Sequence, residues 1–455
     1  METRLAMGGG KPVVPEELKR PWPIVTEQDI EAVATTLRRG PWGGAYQPEG
    51  AAFEDEWAEY CGTKYCLVTN SGTAALHSLI AGIGVEPGDE VIIPAYTFVA
   101  SATSVLHQNA IPIFVDIDPT TYNMDPQKIE AAITKKTKAI MAVDMHGLAA
   151  DYDEINKIAA KYNIPVIEDA CQAHGALYKG KKTGNLTIGA AFSLQATKNL
   201  PAGEGGIITT NSKEVRDKAS VFRIFGERLV PGEVRPYNAY DLGWNYRLPE
   251  YCSTLARRQL LRLNEVIRVS QENADYLSEQ LRKIPGVIPP YVPKERTHTY
   301  YMYRVRIDAK KLGITDISSG ELRRAIQFAL SKEGVTTFEY QSLPVPGQTI
   351  FQTKKGYGKG CPWNCPYARK NIRYNINDYP ETIKVLEESF MIGHVRAPNG
   401  KELMEYYAEA FNKVVNNLDE VVETFKKKRN VIMPSYFDFV YDRYKNIVGE
   451  TVKTK

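Results

Sequence analysis

This chain lacks long apolar runs, a strong net charge and a dense set of cysteines. None of its apolar runs approaches the ~20 residues that a membrane-spanning helix needs, and the segment Met1–Gly10 lacks the apolar core of a signal peptide. A net charge of +3 is small for 455 residues and gives no support for nucleic-acid binding. With six cysteines, a chain of this size does not need a disulfide framework. We therefore expect a cytoplasmic protein with no membrane or nucleic-acid partner.

Cys361 and Cys365 stand close together in the sequence Cys-Pro-Trp-Asn-Cys. A tetrahedral zinc site needs four ligands, and no second close pair of Cys or His stands nearby. We predict no metal site here.

The most informative segment runs from Phe192 to Gly206 and contains Lys198. It places this lysine between a hydroxyl residue, Ser193, and a cluster of glycines. A lysine held by close backbone, beside a hydroxyl that can donate to a phosphate, suits an amine that forms a Schiff base with a carbonyl cofactor. Pyridoxal phosphate (PLP) combines an aldehyde with a phosphate group. The alternative is an ordinary solvated lysine before a glycine turn. Other segments of the sequence are needed to choose between the two interpretations.

Asn70-Ser-Gly-Thr follows the apolar run Tyr65–Val68 and leads into Ala-Ala-Leu. This pattern predicts a strand, a tight turn and a helix whose first amides are free to bind an anion. Gly72 permits close approach, and the Thr73 hydroxyl can add a hydrogen bond. The alternative is an ordinary helix cap.

Asp169 ends the apolar run that starts at Ile164. In α/β sheets, ligands bind at the carboxyl ends of strands, and an aspartate there can keep the pyridine nitrogen of PLP protonated. Asp169 can equally well cap the next turn.

The phosphate loop, the acid and the lysine occur in this order, and further segments agree with them. These are residues 88–100, 113–118 and 243–247. On these motifs the chain resembles the DegT/DnrJ/StrS family of PLP-dependent aminotransferases, which are fold-type I enzymes acting on keto-sugars and keto-cyclitols. The resemblance covers about residues 20–265, and the later part matches only in outline.

The resemblance implies a role for each residue around the cofactor ring. Lys198 forms the Schiff base and moves the proton between substrate and cofactor, while Asp169 binds the pyridine nitrogen. Gln172 lies near the ring hydroxyl. Phe98 stacks on the ring, with a core aromatic as the alternative. His174 follows the family pattern without a clear chemical task, and a structural role is the better interpretation.

The resemblance also implies how the phosphate is held. Gly72, Thr73 and Ser193 bind it from one subunit, and Asn245 reaches it from the neighbouring subunit. The active site then requires a homodimer.

The predicted fold is α/β, with a mostly parallel central sheet in the fold-type I arrangement and a smaller α+β C-terminal domain. We divide the chain into an N-terminal arm (1–20), a large PLP-binding domain (21–265) and a small domain (266–455). A long helix is predicted over about residues 260–280. The predicted strands are Tyr65–Thr69, Glu90–Pro94, Ile111–Asp116, Lys138–Asp144, Ile164–Asp169, Ala190–Leu194 and Gly206–Thr210.

The expected reaction is a two-stage transamination from glutamine or glutamate to a ketone. Related dehydratases carry histidine in place of the lysine, and a regulatory relative would lose part of the cofactor set or add a DNA-binding module. The sequence Ser193-Leu-Gln195 sides with the cyclitol members, closest to the scyllo-inosose aminotransferase type, although a nucleotide-linked 4-keto sugar remains an alternative acceptor. Tyr96, His394 and the turn 40–44 are candidates for acceptor contacts, and each has a structural alternative.

Overall fold

The computed structural model describes residues 4–44, 47–230 and 233–428, and a seven-stranded sheet lies at its centre. The strands are β1 (Tyr65–Thr69), β2 (Glu90–Pro94), β3 (Ile111–Val115), β4 (Thr137–Val143), β5 (Val166–Asp169), β6 (Leu177–Tyr178), β7 (Lys181–Lys182), β8 (Gly189–Ser193), β9 (Gly206–Thr210), β10 (Val287–Ile288), β11 (Tyr303–Ile307), β12 (Thr337–Phe338) and β13 (Ser389–Ile392). The helices are α1 (Glu27–Arg39), α2 (Pro48–Cys61), α3 (Gly72–Gly82), α4 (Val99–His107), α5 (Pro126–Ala132), α6 (Tyr152–Lys161), α7 (Lys213–Arg223), α8 (Glu250–Leu281), α9 (Ser319–Lys332), α10 (Thr349–Thr353), α11 (Pro380–Glu388), α12 (Lys401–Val415) and α13 (Leu418–Lys428).

The central sheet has the order β1-β9-β8-β5-β4-β2-β3. Strands β8, β5, β4, β2 and β3 are parallel, and β9 runs antiparallel to both of its neighbours. All the predicted strands form this sheet, with ends that differ by at most two residues. The predicted α/β fold with a mostly parallel sheet is confirmed. Because β1, β2, β5 and β8 point the same way, the loops after them meet at one edge.

Helix α8 begins ten residues before the predicted start near residue 260. It follows Pro249, whose fixed backbone angle suits a helix start. The side chain of Glu250 is fully buried and accepts hydrogen bonds from the amides of Glu49 (3.1 Å) and Gly50 (3.2 Å) at the start of α2. This anchoring extends the helix beyond its apolar pattern. Within the described residues, no helix combines the length and apolar character required to cross a membrane.

The smaller sheet is antiparallel, with the order β10-β11-β13-β12, and packs with α9, α12 and α13 around a second core. The N-terminal arm joins this core through the buried side chains of Leu5 and Val14. The buried Glu333 carboxylate accepts hydrogen bonds from the amides of Ala6 (2.7 Å) and Val13 (3.2 Å). The arm therefore packs against the small domain.

After forming most of the smaller sheet, the chain returns to the core of the central sheet. Phe351, Trp363 and Tyr374 pack in the same core cluster as Leu67 and Ile208 of the central sheet. A boundary at residue 265 assigns these three aromatic residues to the small domain, although they pack in the core of the central sheet. The three-part division stays a prediction. Residues 1–3 of the predicted arm and 429–455 of the predicted small domain lie outside the described residues.

Candidate active site

The predicted site residues lie on the loops at one edge of the central sheet. Gly72 follows β1, Phe98 follows β2, Asp169 ends β5, and Ser193 ends β8, with Lys198 shortly after it. Since these strands are adjacent or nearly so, residues that are far apart in sequence converge there.

Lys198 is held in a turn made by Gln195 and Thr197. The Lys198 amide donates to the Gln195 carbonyl oxygen at 2.8 Å. The Gln195 Oε1 accepts hydrogen bonds from the amide (2.8 Å) and the hydroxyl (2.6 Å) of Thr197. The partly buried Lys198 amine lies 4.1 Å from the centre of the Tyr301 ring. The turn thus presents the amine to an aromatic face, and no carboxylate among the described residues pairs with it.

The buried Asp169 carboxylate is oriented by two hydrogen bonds. Its Oδ2 accepts from the Ser101 hydroxyl at 2.6 Å, and its Oδ1 accepts from the Cys171 amide at 3.2 Å. Because Ser101 has one proton and gives it to Asp169, the Thr97 hydroxyl, 2.7 Å away, donates to Ser101. The hydrogen bond from the Cys171 amide means that Asp169 also caps the turn after β5, which was its alternative role. Each carboxylate oxygen retains a lone pair for a further donor.

The start of α3 presents backbone amides that have no acceptor within the part of the chain that the structure describes. The Ser71 hydroxyl caps the helix by accepting from the Ala74 amide at 3.0 Å, so the ordinary capping role is also present. The amides of Gly72 and Thr73 have no hydrogen-bond acceptor among residues 4–44, 47–230 and 233–428. A Cβ on Gly72 would lie 2.8 Å from the Ser193 Cβ. The close approach that Gly72 permits is therefore that of Ser193, which packs against the start of α3. The Ser193 hydroxyl accepts from the Gln195 amide at 3.3 Å.

Cys171 connects the parts of this site. Burial raises the pKa of the Cys171 thiol, the Asp169 charge raises it further, and the Lys198 charge acts in the opposite direction. The Cys171 Sγ lies 3.1 Å from the position that a Gly72 Cβ would occupy. Cys171 therefore lies between Asp169, whose carboxylate accepts from its amide, and the start of α3.

Gln172 belongs to a closed ring of buried polar groups. Its Oε1 accepts from the His146 amide (2.8 Å), and its Nε2 donates to the Tyr340 hydroxyl (3.1 Å). Arg304 donates to the Tyr340 carbonyl (3.0 Å) and to the Tyr96 hydroxyl. The ring closes between the Tyr96 hydroxyl and the His146 Nε2 at 3.0 Å. Tyr96 is thus engaged in the interior, and its structural alternative is the one that the geometry favours.

Phe98 and Asn245 are both exposed. The Phe98 side chain is 53% exposed at the start of α4, so the interpretation as a core aromatic is wrong and its ring is available to a ligand. The Asn245 Oδ1 accepts from the Arg247 Nε at 3.1 Å, and its carbonyl accepts from the Asn70 Nδ2 at 3.2 Å. Asn245 thus lies near the start of the phosphate loop, with its side chain turned to Arg247.

His174 is fully buried against the rings of Trp57 and Phe192, with centroid distances of 5.9 and 5.4 Å. Burial lowers its pKa to about 3, and the Lys198 charge lowers it further. It is a neutral packing residue, in line with the structural interpretation.

Sequence reasoning missed several residues of this site, namely Ser101, Tyr301, Tyr340 and Arg396. Ser101 carried no signal in the sequence, because its contact with Asp169 joins segments 68 residues apart. The other three come from the C-terminal half, where the motifs are weak. His394, a candidate for acceptor contacts, is partly buried with a positive φ of 59°, and burial lowers its pKa.

These residues fit PLP. The free amides of Gly72 and Thr73, with the Ser193 hydroxyl, suit a phosphate at a helix start. The oriented Asp169 carboxylate suits a protonated ring nitrogen, and the Lys198 amine suits an aldehyde. Within the described residues, no group of three or more His, Cys, Asp or Glu side chains is placed to hold a metal ion.

Known proteins are similar to this chain over most of its length. The model of the DegT/DnrJ/EryC1/StrS aminotransferase family matches residues 23–377. The chain is 36% identical over 349 residues to L-glutamine:2-deoxy-scyllo-inosose aminotransferase of Streptomyces lividus, covering 72% of this chain and 80% of that protein. It is 40% identical over 256 residues to GDP-perosamine synthase of Caulobacter vibrioides, covering 56% of this chain and 68% of that protein.

Among solved structures, the chain is similar to 3-amino-5-hydroxybenzoic acid synthase, with a TM-score of 0.77 and 31% identity over 89% of this chain and 100% of that one. The family match covers well over half of the chain. The chain belongs to the DegT/DnrJ/EryC1/StrS aminotransferase family, whose members are PLP-dependent enzymes acting on sugar or cyclitol ketones.

Proposed function

We propose that this enzyme transfers an amino group from glutamine or glutamate to a keto-cyclitol or a free keto-sugar, with Lys198 as the catalytic residue. The observation that carries the proposal is that Lys198, Asp169 and the start of α3 follow neighbouring strands at one edge of the central sheet. At this edge Ser193 packs against Gly72, and the Asp169 carboxylate accepts from the Cys171 amide.

Each residue has one task in this reaction. PLP supplies an electron sink when it is bound. The Lys198 Nζ takes the proton from the donor's α-carbon and later returns a proton to the acceptor carbon, as a positioned general base and acid. The Asp169 carboxylate holds the proton on the pyridine nitrogen.

The remaining groups hold the cofactor in place. The amides of Gly72 and Thr73 and the Ser193 hydroxyl bind the phosphate, and the exposed Phe98 ring packs on the pyridine face. Gln172 has given one amide hydrogen to Tyr340 and keeps a second one for the ring hydroxyl.

The cyclitol acceptor is supported by two observations, the Ser193-Leu-Gln195 sequence and the similarity to the scyllo-inosose aminotransferase. Gln195 also has a local task, because its amide oxygen forms the turn before Lys198. A second candidate acceptor is a nucleotide-linked keto sugar, which the 40% identity to GDP-perosamine synthase favours.

The test loads the enzyme with the amine form of the cofactor and offers scyllo-inosose or a nucleotide-linked 4-keto sugar in separate reactions. We expect the cofactor absorbance to return to the aldehyde form faster with scyllo-inosose. A faster return with the nucleotide sugar would show that a nucleotide-linked keto sugar, and not a cyclitol, is the preferred acceptor.

We also propose that the working unit is a homodimer in which Asn245 completes the phosphate site of the partner. The segment around it exposes large apolar side chains, including Tyr237 (78%), Leu242 (77%) and Trp244 (45%), as a surface that packs against another protein does. Mixing Lys198→Ala and Asn245→Ala subunits leaves one intact site in half of the dimers. About a quarter of the wild-type activity should return, and no return would remove the role assigned to Asn245.

A further inference from the structure

Arg304 carries a buried positive charge that no carboxylate among the described residues neutralises. It lies on β11 of the smaller sheet and is 2% exposed. Arg323, which is similarly buried, pairs with the Glu339 carboxylate at 2.5 Å. A buried charge is costly unless other groups compensate it, so the neighbours of Arg304 have to supply that compensation.

The Arg304 guanidinium reaches from the smaller sheet to the loops of the central sheet. It donates to the Tyr96 hydroxyl, shortly after β2, and to the Tyr340 carbonyl oxygen, shortly after β12, at 3.0 Å. It also lies 5.0 Å from the centre of the Tyr96 ring and 5.7 Å from that of Tyr122, and a cation is attracted to an aromatic face. Arg304 therefore joins the two sheets at the edge where the candidate active site lies.

Because a guanidinium can only donate, Arg304 fixes the direction of the next hydrogen bond. Tyr96 accepts from Arg304, and its own proton is left for the His146 Nε2, which lies 3.0 Å away. Burial and the Arg304 charge hold the pKa of His146 well below its usual value. The imidazole is therefore neutral, and its Nε2 accepts the Tyr96 proton.

His146 and Tyr340 hold the Gln172 amide in one orientation. The His146 backbone amide donates to the Gln172 Oε1 at 2.8 Å, and the Gln172 Nε2 donates to the Tyr340 hydroxyl at 3.1 Å. A flipped Gln172 would place its NH2 group against the N–H of His146. His146 itself has a positive φ of 61°, which a non-glycine residue keeps where its surroundings fix it. Its hydrogen bond with Tyr96 is one of the contacts that do so.

We propose that Arg304 is a positioning residue for the cofactor and acts through Tyr96 and Tyr340 on the Gln172 amide. Both hydrogen-bond partners of Gln172 are held by groups that Arg304 contacts. One Gln172 amide hydrogen is bound to Tyr340, and Arg304 thereby fixes where the second one points. This inference rests on the proposed function, in which Gln172 lies near the ring hydroxyl of PLP.

The colour of the bound cofactor provides a readout that does not depend on turnover. The nitrogen that joins PLP to the protein shares its proton with the ring oxygen, and a hydrogen bond from Gln172 competes for that oxygen. Loss of this hydrogen bond leaves the proton more tightly held, so the colour change in a pH titration should move to higher pH. For Arg304→Met we expect its midpoint to rise by about 0.5–1 unit, which is the size of one hydrogen bond.

A double-mutant cycle separates this route from a direct effect of the Arg304 charge on the cofactor. If Arg304 acts through Gln172, the midpoint of the double variant Arg304→Met/Gln172→Leu will equal that of Gln172→Leu alone. If the two shifts add, the charge acts without Gln172 and the inference is overturned.

Arg306→Met is the matched control. Arg306 lies on the same strand and pairs with the Glu388 carboxylate at 2.8 Å, away from the hydrogen bonds of Gln172. We expect this variant to unfold at a lower temperature and to keep the wild-type midpoint. A midpoint shift equal to that of Arg304→Met would mean that any lost contact of β11 has this effect, which would overturn the inference.

If Arg304→Met does not fold, Tyr96→Phe decides. It keeps the ring beside Arg304 and removes the hydroxyl that reaches His146, so the midpoint should rise in the wild-type background and stay unchanged in Gln172→Leu. An unchanged midpoint in both backgrounds would overturn the inference.

Failure of the proposed function has a different signature. A wild-type protein that binds PLP but converts no amino acid would contradict the proposed function, while the titrations would still decide the role of Arg304. A wild-type protein that binds no PLP would overturn both. Normal turnover and a normal wild-type titration, with no shift in the Arg304 and Tyr96 variants, would overturn the inference alone.

Discussion

The residues on the cofactor side of Lys198 follow strands of a single sheet, whereas those on its other side come from the segment before α1 and from segments next to the strands of the smaller sheet. The first set, which we call the cofactor wall, contains Gly72, Thr73, Phe98, Asp169 and Ser193. The second set, which we call the donor wall, contains Tyr301, beside the Lys198 amine, and Trp22 and Arg396, which donate to the Ala196 and Thr197 carbonyls.

The two walls differ in how they are fixed. On the cofactor wall the backbone positions each group through β1, β2, β5 and β8, and Gly72 admits no Cβ beside Ser193. On the donor wall the groups are long side chains that meet across separate segments. We expect changes on the cofactor wall to affect every substrate and changes on the donor wall to affect one half-reaction.

The largest effect is expected at the residue between the walls. Lys198→Arg keeps the charge but removes the nucleophilic amine, so turnover should fall at least about 1,000-fold with every substrate. Steady-state assays check this, with Lys213→Arg on the exposed face of α7 as the control. A variant with near-normal turnover would show that Lys198 does not move the proton.

Asp169→Asn keeps the size of the side chain and removes the charge that faces the ring nitrogen. Both half-reactions should slow about 100-fold, as for the loss of a preorganised charge in a buried site. Stopped-flow absorbance of each half-reaction measures this, with Asp217→Asn as the control. If only one half-reaction slowed, Asp169 would behave as we expect of a donor-wall residue, and the distinction between the two walls would fail.

Gly72→Ala tests the contact between α3 and Ser193. The new Cβ would meet the Ser193 Cβ at 2.8 Å and its Cα at 3.3 Å, so one of the two segments has to shift. Overpacking costs about 1–3 kcal/mol, and we expect the Kd for PLP to rise about 10-fold in equilibrium titration. Gly400→Ala has open space around it and should leave the Kd unchanged. An unchanged Kd in Gly72→Ala would mean that the phosphate is held elsewhere.

The smallest effect is expected on the donor wall at the Tyr301 hydroxyl. Tyr301→Phe keeps the ring against Lys198 and removes one neutral hydrogen bond to Thr197, so the donor half-reaction should slow by about 5-fold or less. Tyr301→Ala should slow it more, because it removes the ring as well. If both variants lose the same activity, the hydroxyl and not the ring is the active part.

The sequence predicts the cofactor wall better than the donor wall for a physical reason. A strand, a turn and a helix are local, so Ser71-Gly-Thr73 and the position of Asp169 are recognisable from patterns of a few residues. Their local surroundings could not be predicted, because Ser101 reaches Asp169 across 68 residues.

The donor wall depends on contacts between distant segments. Arg396 meets Thr197 across 199 residues and lies beyond the region 23–377 that the family model matches. The start of α8 was missed for a related reason, since Glu250 is fixed by the amides of α2 and not by an apolar pattern.

The most direct test of this account is to locate the cofactor on the chain. The purified protein is incubated with PLP and reduced with borohydride, and its peptides are then analysed by mass spectrometry. We predict a yellow protein whose colour is lost on reduction, with the cofactor mass on the peptide that contains Lys198 and on no peptide of the Lys198→Ala variant. A colourless protein after incubation with excess PLP, or a label on another lysine, would contradict the assignment of Lys198 and of the site built around it.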